Sequence, residues 1–304
     1  MRILVSGGAG FIGSHVVDHL IQAGHTVTVV DNLITGVRGN VNPQASFREM
    51  DIVSPDMASL FTETAPEVVY HLAAQMNVTA SVADPTFDAM TNVVGTIALL
   101  ESAVRTGVKR FIFSSSGGTI YGAPEVLPAT EDTPPAPMSP YAASKLAAEE
   151  YIKMYARSHP LTYVILRYSN VYGPRQIPHG ECGVCAVLAN LMLKGQTPTL
   201  YGFGKPVRDY VYVDDVARAN VLALHQGDNR IINISKGTGT TVNELFAALK
   251  EVIGFDKEPL LKEIRSGEVE KNICANGLAK RIFGWEPRVG LLEGLQNTIQ
   301  FASR

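Results

Sequence analysis

Cysteine, tryptophan and net charge are scarce in this chain of 304 residues. It has three Cys and one Trp, and 26 Lys and Arg against 29 Asp and Glu leave a net charge of −3. Three cysteines cannot build a disulfide framework, which points to a reducing, cytoplasmic setting. A pI near 6.2 leaves no basic footprint for nucleic acid. No uninterrupted apolar run approaches the ~18 residues that a membrane span requires. The opening MRILVSGGAG reaches glycines before a secretory core could form. Neither a membrane partner nor a leader is therefore expected. Cys182 and Cys185 form a C-x-x-C behind His179, but no second pair follows and Cys274 is far away. They read as small apolar residues on a helix face, and no metal is expected. His15 and His19, four apart, read as helix-surface residues.

What is present is alternation. RILVS (2–6) is short, apolar and followed by glycines, the pattern of a buried parallel strand. FIGSHVVDHLIQAG (11–24) has helical spacing and stops at Gly24. Further strands are predicted at 26–30, 46–50, 67–73, 110–116 and 161–167, with helices near 85–106 and 140–158. Strand–helix alternation predicts an α/β fold, a Rossmann-type doubly wound parallel sheet. The segment 123–140 is Pro-rich and acidic, and reads as an exposed loop. After residue 168 the rhythm loosens: a Gly/Pro loop (173–183), a helix (184–194), strands near Tyr201 and over 208–213, a helix (215–226), a strand (231–234), and a helix opened by a Thr241/Glu244 capping box. Residues 1–167 are expected to form the nucleotide-binding domain, with 208–240 crossing back to it. Residues 168–304 mainly form a smaller C-terminal substrate-binding α/β lobe.

Gly7, Gly10 and Gly13 lie between the first strand and the first helix. Glycine permits the tight turn and close backbone approach to a pyrophosphate, and the helix N-terminus supplies N–H donors. Asp31, ending the second strand, can accept hydrogen bonds from an adenosine ribose and would repel a 2′-phosphate, which favours NAD over NADP. Arg38 nearby could accommodate such a phosphate. Another strand ends in Ser114, Ser115 and Ser116. Tyr141 and Lys145, four apart in SPYAASK, share a helix face. A phenol ordinarily titrates near 10. An ammonium one turn away, together with a cationic nicotinamide, would make it a usable base, with a serine hydroxyl bridging it to a substrate alcohol.

These stretches, with DNL (31–33), DI (51–52), HLAAQ (71–75), NVVGT (92–96), FSSSGGTIYG (113–122), LRYSNVYGPRQ (166–176), VRDYVYVDDVA (207–217) and RSGEVEK (265–271), span nearly the whole chain. Through them the chain resembles the extended short-chain dehydrogenase/reductase family, and within it the UDP-glucose 4-epimerase-like enzymes. The resemblance implies Tyr141 as general base, Lys145 on the nicotinamide ribose and Ser116 on the substrate hydroxyl. It implies Phe11 and Ile12 beside the glycines, Asn32 beside Asp31, and Asp51 and Ile52 at the adenine. Leu72, Ala73, Ala74 and Gln75 would line the dinucleotide channel, with Asn92 and Ser114 beside it, and Tyr168 and Val171 would flank the nicotinamide. Asn170, Val184, Arg208, Arg265 and Glu268 would hold the nucleotide-sugar. It also implies a homodimer through the helices near 85–106 and 140–158.

Oxidation at sugar C4 opens every reaction of such enzymes. Dehydratases and decarboxylases of this kind resemble one another in carrying a carboxylate just after the strand-end Ser or Thr. Here Ser116 is followed by Gly117, Gly118 and Thr119. Elimination then lacks its proton carrier, which favours C4 epimerisation of a UDP-sugar, UDP-glucose/UDP-galactose first. A dehydratase, a decarboxylase or a non-catalytic NAD sensor remains as an alternative. Ser169, where an aromatic is common, Glu268, where Asp is usual, and Met76 and Asn77 leave the sugar open.

Overall fold

The computed structural model describes residues 1–178, 183–265 and 269–302. The chain runs β1 (Arg2–Ser6), α1 (Phe11–Gln22), β2 (Thr26–Asp31), β3 (Ser46–Glu49), α2 (Met57–Thr64), β4 (Val68–His71), α3 (Val78–Ala83), α4 (Pro85–Ala89), a π-helical turn (Met90–Val94), α5 (Gly95–Thr106), β5 (Arg110–Ser116), α6 (Gly117–Ile120), α7 (Pro140–Ser158) and β6 (Thr162–Tyr168). It continues through β7 (Asn170–Tyr172), α8 (Val184–Leu193), β8 (Thr199–Tyr201), β9 (Val207–Arg208), β10 (Tyr210–Tyr212), α9 (Val213–Leu222), β11 (Arg230–Ile234), β12 (Thr240–Thr241), α10 (Val242–Ile253), β13 (Leu260–Lys262), α11 (Gly277–Phe283) and α12 (Leu291–Ala302).

Seven strands form one parallel sheet in the order β11-β6-β5-β4-β1-β2-β3. The period of two along β1 sends Ile3 and Val5 to one face and Leu4 to the other. The first face packs with Val16, Val17, Val216 and Trp285. The second packs with Phe61, Leu99, Phe111 and Ile152. A third core, around Leu188, Leu200, Leu245 and Leu295, belongs to the later segments. Because the strands are parallel, the residues that follow them all emerge at one edge. The order reverses between β1 and β4, and that reversal opens a crevice for a ligand.

The helix expected over 85–106 contains a π turn at Met90–Val94, a feature that often accompanies functional sites. Pro85–Thr106 is apolar and long enough to match a membrane span by length and composition alone, although Asp88, Glu101 and Arg105 interrupt it, and 44% of its apolar window is buried as in a core helix. Its inner face packs on α2 and α7. Phe87, Met90 and Val94 stand outward, 40% to 49% exposed. The strand expected over 208–213 is two strands in different sheets, split at Asp209. The loop 123–140 is pinned at Ala129, which is buried and bridges to Cys274.

Candidate active site

The phosphate loop is built by contact as well as conformation. Gly7 has φ +76°, and a Cβ there would collide with the Leu72–Ala73 backbone. A Cβ on Gly13 would strike the Gly7 carbonyl, whereas one on Gly10 would meet only that carbonyl at 3.2 Å. The α1 N-terminus has no side-chain cap and no acidic residue in its first turn, with Phe11 and Ile12 opening it. Its N–H donors therefore remain open to an anion. Ala9 N–H and Leu33 N–H donate to the two oxygens of Asp31 at 3.0 and 2.9 Å. Burial raises the Asp31 carboxyl, against the pull of these amides. Asn32 donates to Asp51 Oδ2 at 2.8 Å, joining the ends of β2 and β3. Ile52 is 5% exposed, and its side chain packs against Gly95. Arg38 lies over the Phe47 ring at 4.3 Å.

Across the reversal, Leu72 N–H and Ala73 N–H donate to the Ser6 carbonyl at 3.0 Å, which seats Leu72, Ala73 and Ala74 beside the glycine loop. Gln75 and Asn92 hold each other: Gln75 N–H donates to Asn92 Oδ1, and Asn92 Nδ2 donates to the Gln75 carbonyl, both at 2.9 Å. Asn92 is 2% exposed. Its amide supports Gln75 from behind. His71 bridges Ser6 and Thr96. The Thr96 hydroxyl donates to the Asn92 carbonyl at 2.6 Å, so His71 Nε2 carries the proton given to Thr96. Burial holds His71 well below its ordinary range.

The catalytic wall is α7 against β5. Ser139 caps α7 and Pro140 opens it, so Tyr141 stands in its first turn with Lys145 one turn below. Tyr141 N–H donates to Ser81 Oγ at 3.1 Å. Lys145 Nζ donates to the Ser114 carbonyl at 2.9 Å and lies 4.7 Å from the Phe113 ring centre. Burial pushes the ammonium down to about 8, opposed by Asp88 and Glu149. Ser116 accepts from the Thr119 hydroxyl at 2.9 Å. A Cβ on Gly118 would lie 3.8 Å from Ser116 Oγ and 3.9 Å from Asn170 Oδ1. That Asn170 oxygen is buried with no hydrogen-bond partner among the described residues, so it is an acceptor open to a ligand near Ser116. The Tyr168 ring is buried, and its hydroxyl donates to Asn220 Oδ1 at 3.0 Å. It forms the floor, and Val171 on β7 is half-buried above it.

Sequence reasoning missed a buried layer under this wall. Glu149 continues the Tyr141–Lys145 stripe by one more turn. It accepts from Ser115 Oγ at 2.6 Å and from Arg167 Nε and Nη2 at 2.9 and 2.6 Å. The i+4 spacing was the available signal.

Val184 opens α8 at the rim. Arg208 donates to the Val207 carbonyl at 3.0 Å. Its neighbour Asp209 does not serve as a simple counter-ion: it accepts from Ser169 Oγ and from the N–H groups of Lys236, Gly237 and Cys274. Asp214 instead pairs with His19 at 2.6 Å, and His15 meets the Pro174 carbonyl at 3.1 Å. His15 therefore ties α1 to the segment after β7, and His19 ties it to α9, so neither sits free on a surface. Arg265 lies over the Tyr201 ring at 3.9 Å. Glu268, Cys182 and His179 lie outside the described residues. Cys185 and Cys274 are buried free thiols.

An open helix N-terminus over glycines, an acid ending β2 and a Tyr/Lys wall across the strand reversal define a dinucleotide-binding protein of the Rossmann class. The model of the NAD-dependent epimerase/dehydratase family matches residues 3–235, and the chain belongs to that family. A UDP-glucose 4-epimerase of Mycolicibacterium smegmatis is 43% identical over 307 residues, 99% of this chain and 98% of the relative. The crystal structure of the Thermotoga maritima UDP-glucose 4-epimerase with UDP-glucose superposes at TM-score 0.97, 51% identical, over 100% of this chain and 99% of that one. The Thermus thermophilus UDP-glucose 4-epimerase with NAD superposes at 0.94, 44% identical, over 99% and 98%.

Proposed function

We propose that the protein is an NAD-dependent 4-epimerase of a UDP-sugar, with UDP-glucose and UDP-galactose as its pair. The observation that carries this over elimination is the turn after Ser116. A Cβ on Gly117 would lie 2.9 Å from Cys274 Sγ and 3.3 Å from the Arg167 carbonyl. Gly118, the next position, has room for a side chain and carries none, so the turn supplies no carboxylate to act as the proton carrier of a dehydratase. The residues present fit NAD: the cradle at Gly10, the Asp31 carboxylate and the buried Lys145.

Bound nicotinamide supplies a reversible hydride acceptor. Gly7, Gly10 and Gly13 hold the pyrophosphate, and Asp31 and Asn32 hold the adenosine ribose. Tyr141 takes the proton of the sugar C4 hydroxyl and returns it, Lys145 keeps the phenol acidic, and Ser116 bridges phenol and alcohol. Asn170, Val184, Arg208, Arg265 and Glu268 hold the diphosphate and uridine, arginine suiting the paired phosphates. The 4-keto sugar must turn over between the two transfers, which asks for a loose sugar pocket and a firm nucleotide grip. Residues 1–167 with 208–240 form the NAD domain, and the remainder grips the nucleotide. The outward stripe Phe87, Met90 and Val94, with Tyr151 and Met154 of α7 each 39% exposed, supports a homodimer through these helices. The free buried thiols accord with a cytoplasmic setting.

The test is product analysis by NMR. Protein is incubated with UDP-galactose, UDP-N-acetylgalactosamine and UDP-glucuronate separately. A C4 epimer without net NADH is expected, foremost from UDP-galactose. A 4-keto-6-deoxy or pentose product would overturn the proposal. Tyr141→Phe is expected to lower turnover by about 10²–10⁴-fold while NAD still binds; unchanged turnover would remove Tyr141 from its role.

A further inference from the structure

Two buried carboxylates oppose the desolvation of Lys145, Asp88 and Glu149. Glu149 is matched by the Arg167 guanidinium. Asp88, on α4 and 1% exposed, has no bonded cation among the described residues. Its Oδ1 accepts from Gln75 Nε2 at 2.8 Å and Asn92 Nδ2 at 3.1 Å. Its Oδ2 is buried without a partner. The Asn92 amide also reaches Ser144 Oγ at 3.1 Å, and the Ser144 hydroxyl donates to the Tyr141 carbonyl at 3.0 Å. A buried, uncompensated carboxylate is costly unless a cation shares its environment. Lys145 is the buried ammonium of the helix against which α4 packs. We propose that Asp88 is a positioning residue of the reaction: its charge keeps Lys145 an ammonium, and its bonds through Asn92 and Ser144 tie that charge to the backbone of Tyr141.

The other groups facing this wall do not replace it. From β4, His71 is held neutral by burial. From β5, Lys145 meets a carbonyl and the Phe113 ring. From β6, Arg167 is committed to Glu149, and burial raises the Tyr168 phenol out of range. From α5, Glu101 is engaged by Tyr155 further along α7. The π turn that carries Asn92 explains how this contact is reached, because the extra residue turns the amide inward toward α7.

The inference rests on Tyr141 and Lys145 acting as proposed above, and the test separates the two. NAD-loaded protein is titrated by phenolate absorbance, with Tyr141→Phe subtracted to isolate that phenol. Asp88→Asn keeps an oxygen for Gln75 and Asn92 and removes the charge. Without the Asp88 charge Lys145 gives up its proton more readily, and the phenol loses the cation that keeps it acidic. The Tyr141 step should therefore move to higher pH by about half a unit to one unit, roughly 3- to 10-fold in proton affinity. The acid limb of the kcat profile should follow it. Asp88→Glu, which keeps the charge, should hold the step near its wild-type position. A purely structural Asp88 would lower activity at every pH and leave the step in place, which would overturn the inference. Equal shifts in Asp88→Asn and Asp88→Glu would overturn it as well. Should Asp88→Asn not fold, Asp88→Ser removes the charge from a smaller side chain and is read the same way. If the wild type has no Tyr141-dependent step, the reading of the site itself falls, and this inference with it.

Discussion

Glu149 and Asp209 are both carboxylates fully removed from solvent, and they stand at the two seams of the molecule. Glu149 joins the catalytic helix to the sheet and is met by a guanidinium, in a pair 0% and 3% exposed. Asp209 joins the end of β6 to the later lobe and is met by three backbone amides and a serine hydroxyl, with no cation bonded to it among the described residues. The first seam is neutral as a unit and tolerates no loss of either member. The second carries a charge dissolved only in backbone dipoles, and burial pushes its carboxyl up to about 6. A catalytic wall must hold Tyr141 and Lys145 in one geometry. The amides that meet Asp209 come from two segments, Lys236–Gly237 and Cys274, so this joint rests on several small contacts rather than on one ion pair.

Breaking the first seam should have the larger effect. Glu149→Gln leaves Arg167 buried with its charge unmatched, and removing one partner of a buried pair costs about 3–5 kcal/mol. Urea unfolding is expected to register a loss of that size. The double variant Glu149→Leu/Arg167→Met should lose clearly less than the sum of its single changes, because an apolar pair leaves no orphaned charge. Additive losses would mean that the two side chains do not act as one unit.

The difference between the seams also explains what the sequence disclosed. The first seam rests on strand and helix periodicity, so its frame was legible: the strand that ends in Ser116, the helix 140–158 and the phosphate loop lie where spacing places them. Its polar filling was half legible. Lys145 drew notice and Glu149, one turn further on, did not, because its partner Arg167 arrives from another strand. Asp88 was hidden for the same reason. The second seam was misread as a strand running through 208–213. The β-favouring run Tyr210–Val213 follows Asp209 directly, and nothing local reveals that amides of Lys236, Gly237 and Cys274 converge on it. Spacing placed Asn92 on a helix and could not show that its amide bonds Gln75, Asp88 and Ser144, since spacing locates a residue and not its hydrogen-bond partner.

The second seam makes a pH prediction of definite sign. The Asp209 carboxyl is raised from 3.8 to about 6 in the native protein. Between those values the folded chain holds a proton that the unfolded chain has released. This group's contribution to stability is therefore complete at low pH and is lost as pH rises through about 6. The change is at most about 3 kcal/mol, at about 1.4 kcal/mol per unit. Asp209→Asn cannot titrate and lacks one acceptor for the amides. The stability gap between wild type and variant should widen as pH falls through this window. A gap independent of pH would mean that the four donors keep Asp209 ionised throughout.

The smallest effect sharpens the contrast from within the lobe. Thr241 and Glu244 form a capping box on α10: Glu244 N–H donates to Thr241 Oγ1 at 3.1 Å, and Thr241 N–H donates to Glu244 Oε2 at 2.7 Å. Both acceptors are exposed side chains at a helix end, and the bonds depend on no buried charge. Thr241→Ala should cost about 1 kcal/mol. Glu244 sits below its ordinary carboxylate range because the Thr241 amide and hydroxyl bond to it. Its contribution is therefore present above the ordinary Glu range and is lost as pH falls through the lowered value, opposite in sign to Asp209. Thermal unfolding of Thr241→Ala against wild type reads this directly. The deficit should be largest near neutral pH and should shrink on acidification, whereas the Asp209→Asn deficit should grow. Two deficits that moved in the same direction would mean that exposure of the carboxylate does not decide the sign.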